Sequence, residues 1–544
     1  MRRICTYIIG MLSVLPMQLF AQEAKKDTAT VTRTVVVEQE YTPDILDARK
    51  INVMPKIEPL KSSEKRVVYD TSQSPATEFP FSILPIYAAK EMQDKALPGY
   101  VRLGIGLPGN VDFLANYRFD VTDKDLLNFY ALFNGHQGDR KFENNNKWEN
   151  ARFFQTRAGI DYAHSFNRTR FDLGAHLGIS NFNLLPSYAK KNQNFTSGDI
   201  HVGVSSADDN QSVIYHAETN VMLYQRAFDP NAKKPTEVAF RTEGDILVPL
   251  ENQQSAGIAF RLDNLLYNKI EYKNSHHADL NPYYVFENSG WNLHLGAHAN
   301  YSFGLRNKLR MAPDVKIQYS FSNSYAFYAN ATGGNITNDF RRLELLSPYG
   351  LLNPSAQLEN SYEQVNAAIG IKGSPANGLW FNLFGGYQDL KDDADFRADK
   401  LYNIQLYQAN LKNIYGGAEL SYTYKEQVSF NLSGLYRKWN TPQDDPAGAA
   451  LSYFKPVFEG NFLISDKITS SSELSLGLQY TARKGNDLEK PDAIANLYIS
   501  GNYNLFKGFS IYARANNLLN KRYQYFSGVP AQGINFVGGI SYSF

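Results

Sequence analysis

Thiol chemistry is almost missing from this sequence: its 544 residues include one cysteine, Cys5. That residue lies near the start of a segment in which Arg2 and Arg3 precede an uncharged, mostly apolar run from Ile4 to Phe20. Ala21-Gln22-Glu23-Ala24 then restores polarity, the pattern of a cleaved signal peptide over residues 1–21. A spanning helix needs about 20 apolar residues and a stop-transfer flank; this run is shorter and leads into mixed-charge, proline-bearing sequence. The mature chain is therefore expected to lack thiols. That excludes disulfide staples, thiolate metal sites and cysteine nucleophiles, and it agrees with export to an oxidising compartment.

A dominant charge is missing too. The 55 Lys and Arg balance 54 Asp and Glu to a net +1, which gives no electrostatic footprint for nucleic acid. After residue 24 no apolar run reaches the length of a spanning helix, so a membrane protein of this sequence could cross only as a closed barrel. Gly-x-Ser-x-Gly and His-Glu-x-x-His are absent, and the nine histidines are scattered with nothing in the sequence to pair them. No catalytic, cofactor or metal site is assigned, and the chain is read as a non-enzyme.

Aromatic residues are plentiful instead. There are 36 Tyr and 34 Phe, in a chain whose mean hydropathy is only −0.40. Rings in a polar background suit a membrane–water boundary.

Residues 22–98 contain Pro43, Pro55, Pro59, Pro75, Pro80, Pro85 and Pro98, which break any long element. They are read as an extended periplasmic or lumenal segment. From Gly99 the texture changes to alternation in segments of roughly ten to sixteen residues, the signature of a transmembrane antiparallel β-barrel over 99–544. Trp291, Leu293, Leu295, Ala297, Ala299, Tyr301 and Phe303 share one face; Asn292, His294, Gly296, His298, Asn300 and Ser302 share the other. Twelve tilted strand steps rise about 28 Å, close to the apolar band of such barrels. The count is about 22 strands, an even number that leaves the short connections, such as Glu251-Asn252, Lys425-Glu426 and Asp466-Lys467, on one side. The segment Ser275 to Phe286 is kept as a strand despite Pro282, because parity fails without it. Strand starts are set near Arg152, Leu411 and Ser452, among others, and the outer loops are expected to be modest.

Gly104-Ile105-Gly106-Leu107-Pro108-Gly109 spells the dinucleotide fingerprint, but the chemistry needs a helix next. Strand alternation follows at Val111, Phe113, Ala115 and Tyr117, so the glycines are assigned to a hairpin tip. His294 and His298 are expected to line the lumen about 13 Å apart, too far for one metal ion. His276-His277 with Asp279 and the acidic stretch Asp392, Asp393, Asp395 and Asp399 are read as outer-loop features rather than metal sites.

Asn517-Leu518-Leu519-Asn520-Lys521 followed by Tyr523 resembles the penultimate-strand motif of TonB-dependent receptors, outer-membrane transporters with 22-stranded barrels. The final strand, alternating Phe536, Gly538, Ile540, Tyr542 and Phe544, is similar to their terminal signal for the barrel-assembly machinery, placed here on Ile540, Tyr542 and Phe544. Gly417-Ala418-Glu419-Leu420 resembles a descending strand of that family, and Tyr325 to Gly334 with Asn353-Pro354 and Glu359 its middle hairpin. Thr34-Val35-Val36-Val37 is similar to the short box that contacts TonB. The departure is at the front, where residues 22–98 stand in place of a much larger globular plug. The resemblance implies an outer-membrane location in a Gram-negative bacterium, lipid as surroundings, and transport of a ligand or nutrient. The alternative is a plugless barrel serving as a subunit of an assembly or secretion complex, its lumen closed by an outer-membrane or periplasmic partner.

Overall fold

The computed structural model describes residues 97–544, apart from 143–145, 189–191, 209–210, 230–232, 323, 353–356, 400–401, 441–444 and 486–490. The signal peptide, nearly all of the segment 22–98, Thr34–Val37 and Asn353-Pro354 lie outside the described residues.

Alternation produces strand after strand. The first eight are β1 (Gly99–Leu107), β2 (Asn110–Asp120), β3 (Asp125–Lys141), β4 (Lys147–Ser165), β5 (Thr169–Asn183), β6 (Asn192–Ser206), β7 (Ile214–Arg226) and β8 (Thr236–Leu250). Next come β9 (Gln254–Asn268), β10 (Ser275–Asn288), β11 (Trp291–Phe303), β12 (Lys308–Phe321) and β13 (Tyr325–Ile336). A short helix, α1 (Phe340–Leu346), precedes β14 (Ser361–Ala376), β15 (Leu379–Ala398), β16 (Ile404–Tyr424) and β17 (Val428–Asn440). After α2 (Pro446–Phe454) come β18 (Pro456–Thr469), β19 (Ser472–Arg483), β20 (Ile494–Phe506), β21 (Phe509–Asn516) and β22 (Asn535–Ser543). Each strand pairs antiparallel with its sequence neighbours, and β1 also pairs with β22 from Tyr100↔Ser543 to Leu107↔Phe536. The sheet is a closed 22-stranded barrel, which removes every free edge.

Exposure separates the two faces. Leu177 in β5, Ile369 in β14 and Ile414 in β16 are 68 %, 69 % and 63 % exposed, while the intervening His176, Gly370 and Asn413 belong to the other face. Large bare apolar side chains in the middle of strands are the mark of a surface that meets lipid. Near the short-connection end the outward face is aromatic: Trp291 and Tyr319 have ring centroids 4.6 Å apart, Phe321 and Phe327 5.0 Å, and Tyr542 and Phe544 5.4 Å. Among the described residues no helix is long and apolar enough to cross a membrane.

The short connections are tight because their backbones are left-handed. Asn252 and Gln253 have φ of 60° and 59°, and Lys425 and Glu426 48° and 57°, a left-handed pair inside each three-residue connection that turns the chain in keeping with strand twist. The fingerprint-like glycines sit at the β1–β2 tip, where a Cβ on Gly106 would lie 1.7 Å from the Phe536 carbonyl oxygen across the β1–β22 seam. β10 survives Pro282: its pairing with β9 is continuous, whereas towards β11 the register passes from Leu280↔Ala299 to Tyr283↔Gly296, skipping Asn281 and Pro282, the residue with no N–H.

Several boundaries differ from the sequence expectation. β4 starts at Lys147 rather than near Arg152, and β16 at Ile404 rather than near Leu411, so these strands run past the apolar band into the long-connection end. The Asp466-Lys467 pair lies within β18, and the turn is the next one, 470–471. Ser452 belongs to α2, capped by the Asp445 carboxylate accepting from the Gly448 N–H, with Pro446 in the first turn. The connections at this end are also less modest than expected: 337–360 contains α1, and 517–534 is nearly as long.

Candidate functional site

The long-connection end is filled by chain folded inward. One apolar cluster unites Trp148 and Phe153 of β4, Phe182 of β5, Phe195 of β6, Tyr224 of β7, Phe340 and Leu343 of α1, Tyr349, Leu352 and Leu358 after it, Phe396 of β15, Ile404 of β16 and Val529 of the last connection. Its strand members come from two arcs far apart in the 22-strand order, β4–β7 and β15–β16, so this core bridges the mouth of the barrel.

Residues 337–352 are fastened to that wall by buried polar contacts. The Asp339 carboxylate caps α1 by accepting from the Arg342 N–H at 2.7 Å. The Phe340 N–H donates to both carboxylate oxygens of Glu237 in β8, at 3.0 and 3.1 Å. Glu344 accepts from the Ser180 hydroxyl at 2.6 Å and from the Tyr224 hydroxyl, with Arg157 Nη2 3.6 Å away. Arg226, only 1 % exposed, donates to the Gly350 carbonyl at 2.9 Å and lies over the rings of Phe195 and Phe340. Asp229 accepts from the Leu352 N–H at 3.0 Å, and the Thr337 hydroxyl donates to Asp263 in β9 at 2.7 Å. Polar groups withdrawn from water must be paired, and here the wall strands supply the partners. Burial raises the Tyr349 hydroxyl above its ordinary range, and it also raises the Glu359 carboxyl, although Arg306 Nε approaches to 2.6 Å.

The last connection is pinned in the same manner. Asn517, buried and left-handed at φ 49°, donates through its amide to the carbonyls of Lys521 and Gln532 at 2.9 and 2.8 Å. Its side-chain oxygen accepts from the Lys521 N–H at 3.0 Å. Tyr523, further along the same connection, is buried too. The asparagine in the receptor-like motif thus ties together both ends of a long loop.

The other sequence candidates are placed as follows. His294 lies on the polar face of β11, with Nε2 2.7 Å from Asp314, and His298 on the same face, with Nδ1 2.8 Å from Asp279. Each imidazole has its own carboxylate, and the two are not brought onto one ligand position. His276 and His277 turn apart, to Asn264 at 2.9 Å and Asn300 at 3.2 Å. Asp392, Asp393 and Asp395 are not in a loop but in β15, paired with Arg310, Lys455 and Arg397 at 2.8, 2.8 and 2.9 Å. Those cations already hold the carboxylates a calcium ion would need. Ile540, Tyr542 and Phe544 stand exposed on the outward face.

Sequence reasoning missed one grouping. Among the described residues, Asp161, His176 and His201 are the set of carboxylate and imidazole groups whose donor atoms converge, each within 4.8 Å of the others. They come from three adjacent strands, so only the register reveals them.

These features define a closed, 22-stranded transmembrane β-barrel whose long-connection end is covered by its own chain. No protein-family model matches the sequence, and no curated protein does. Solved structures do match. The Copper transporter OprC is 13% identical, with 82% of this chain and 80% of that one covered at a TM-score of 0.61. The FrpB iron transporter from Neisseria meningitidis is 13% identical, with 83% and 82% covered at 0.65. The siderophore receptor PirA from Pseudomonas aeruginosa is 13% identical, with 84% and 82% covered at 0.60. The fold is that of TonB-dependent receptors.

Proposed function

We propose that this chain is an outer-membrane barrel of receptor type that takes a ligand or nutrient in at its long-connection end and passes it towards the periplasm. The observation that carries this reading is the covered mouth. Residues 340–350 are held across it by hydrogen bonds to Glu237, Arg226 and Tyr224 of the wall, contacts that can break and re-form when a ligand competes for the same polar groups. A permanently open pore would have no use for such a cover. The titles of the matching structures name transport of copper and iron and reception of a siderophore, which supports the class of activity without fixing this chain's ligand. His294 and His298 belong to this proposal as part of the polar lumen wall.

Energy input through TonB belongs to the same proposal, with Thr34–Val37 as the contact. The mature chain offers no competing thiol, so single cysteines at Thr34, Val35, Val36 and Val37 can be tested for disulfide formation with a cysteine-bearing TonB. An adduct at one or more positions is the expected result. No adduct, under conditions where a known receptor gives one, removes TonB from the account. If a stoichiometric membrane partner then co-purifies in mild detergent, the chain is instead a structural subunit of a larger complex.

A further inference from the structure

We propose that Asp161, His176 and His201 form a binding site for a divalent transition-metal ion on the inner wall of the barrel. The register of β4, β5 and β6 builds it. Asp161 faces Gly174, and Gly174 faces His201, so one rung carries a carboxylate, a gap and an imidazole in order. On the next rung His176 faces Gly159 on one side and Asp199 on the other. All these positions alternate away from the lipid-facing Leu177.

Gly174 makes the convergence possible. A Cβ there would lie 2.0 Å from Cε1 and 2.7 Å from Nδ1 of His201, and 2.6 Å from Asp161 Oδ1. Any side chain would fill the space into which those donors turn. Gly159 does the same for the His176 ring, whose Cδ2 would lie 2.3 Å from its Cβ.

The donors are arranged as a metal site is. His176 Nε2 is 3.0 Å from Asp161 Oδ1, and the His201 ring stacks on that of His176 at 5.3 Å and 24°. Two donors of one tetrahedral zinc ion lie about 3.4 Å apart, so the set needs only modest side-chain rotation. The second oxygen of Asp161 is buried and has no hydrogen-bond partner among the described residues. Asp199 supplies the outer support: its Oδ2 is 2.8 Å from His176 Nδ1, and its Oδ1 accepts from Arg341 Nη2 at 3.0 Å. A carboxylate on the far nitrogen of a ligating imidazole fixes the ring's orientation and raises its basicity. On binding, the hydrogen bond between His176 Nε2 and Asp161 gives way to a nitrogen–metal–oxygen bridge. The proton leaves to solvent, and His201 supplies the third bond. Two imidazoles and one carboxylate, with a position left for water, suit zinc and neighbouring divalent ions better than calcium or magnesium.

The test uses the full mature chain, folded in detergent and made without a histidine tag, with zinc and cobalt as probes. After gel filtration, metal analysis is expected to find about one zinc per chain, and cobalt to give the visible absorption of a low-symmetry site. His201→Gln and Asp161→Asn should each lose stoichiometric zinc. Asp199→Asn should weaken binding about 10- to 100-fold, and His276→Gln should change nothing. Gly174→Ala keeps every donor but fills the gap, so it should also abolish binding. Heat-modifiable migration in gels certifies that each variant is a folded barrel. Folded wild type that retains no metal overturns the proposal, as does zinc that survives all three of the Asp161, His201 and Gly174 substitutions.

Discussion

Leu177→Arg should cost the barrel about 2–4 kcal/mol when unfolding is measured in lipid vesicles. Leu177 lies midway along β5, its side chain is 68 % exposed, and its cross-strand neighbours Ala158 and Gly198 are too small to cover it. In water such a side chain would be an ordinary surface residue, and exchanging it for Arg would change stability by about 0.5 kcal/mol at most. In a bilayer the guanidinium has no partner and must distort the lipid or reach for the headgroups. The control is Asn461→Arg on the polar face of β18, where the side chain is exposed and donates to the Ser433 hydroxyl at 3.4 Å. That variant should lose less than about 1 kcal/mol. Equal small losses for the two arginines would mean that the bare apolar face does not meet lipid.

The second large effect is expected at the seam. Phe544 exchanges two backbone hydrogen bonds with Gly99, at 2.8 and 2.9 Å. Its ring lies over Gly99, where a Cβ would come within 2.5 Å, and stacks on Tyr117 and Tyr542 with centroids 5.7 and 5.4 Å away. Deleting Phe544 removes two hydrogen bonds and two aromatic pairs, a loss of about 2–4 kcal/mol for a barrel refolded in detergent. If Ile540, Tyr542 and Phe544 also carry the assembly signal, the consequence in cells is much larger. Almost no folded barrel should reach the outer membrane, while the refolded protein remains stable. Normal amounts of assembled barrel in cells would strip the signal role from these residues and leave them only the seam.

Much of the barrel was legible because period two is written into the membrane-spanning part of the strands and the turns are spelled by residues such as Asn252 and the Lys425-Glu426 pair. Parity then rescued β10, which Pro282 would otherwise have removed. What could not be read lies at the long-connection end. Strands such as β4 and β16 begin beyond the bilayer, where apolar alternation is no longer required, and their upper starts therefore carry no hydropathy signal. α2 was mistaken for the start of a strand, although Asp445-Pro446 offered a cap and a first-turn proline. The core formed by Phe153, Phe182, Tyr224 and Leu343 joins residues far apart in sequence, and no local pattern announces that a loop folds inward rather than out to water. Asp161, Gly174 and His201 were invisible as a group for a related reason. Their meeting depends on the register of three strands, one connection of which, 184–191, is too long for turn chemistry to set that register.

Single-channel recording in planar bilayers tests the covered mouth most directly. The barrel is compared with and without residues 340–349, in a chain of residues 22–544 and in one of residues 99–544, so that nothing contributed by the N-terminal segment confounds the reading. With 22–98 removed and 340–349 intact, conductance should stay small. With both removed, a steady, large conductance should appear, as a 22-stranded lumen would give. Arg226→Ala, which frees the Gly350 carbonyl, should show intermittent openings between the two. A barrel lacking 22–98 that conducts as freely with residues 340–349 present as without them would contradict the claim that its own chain closes the mouth.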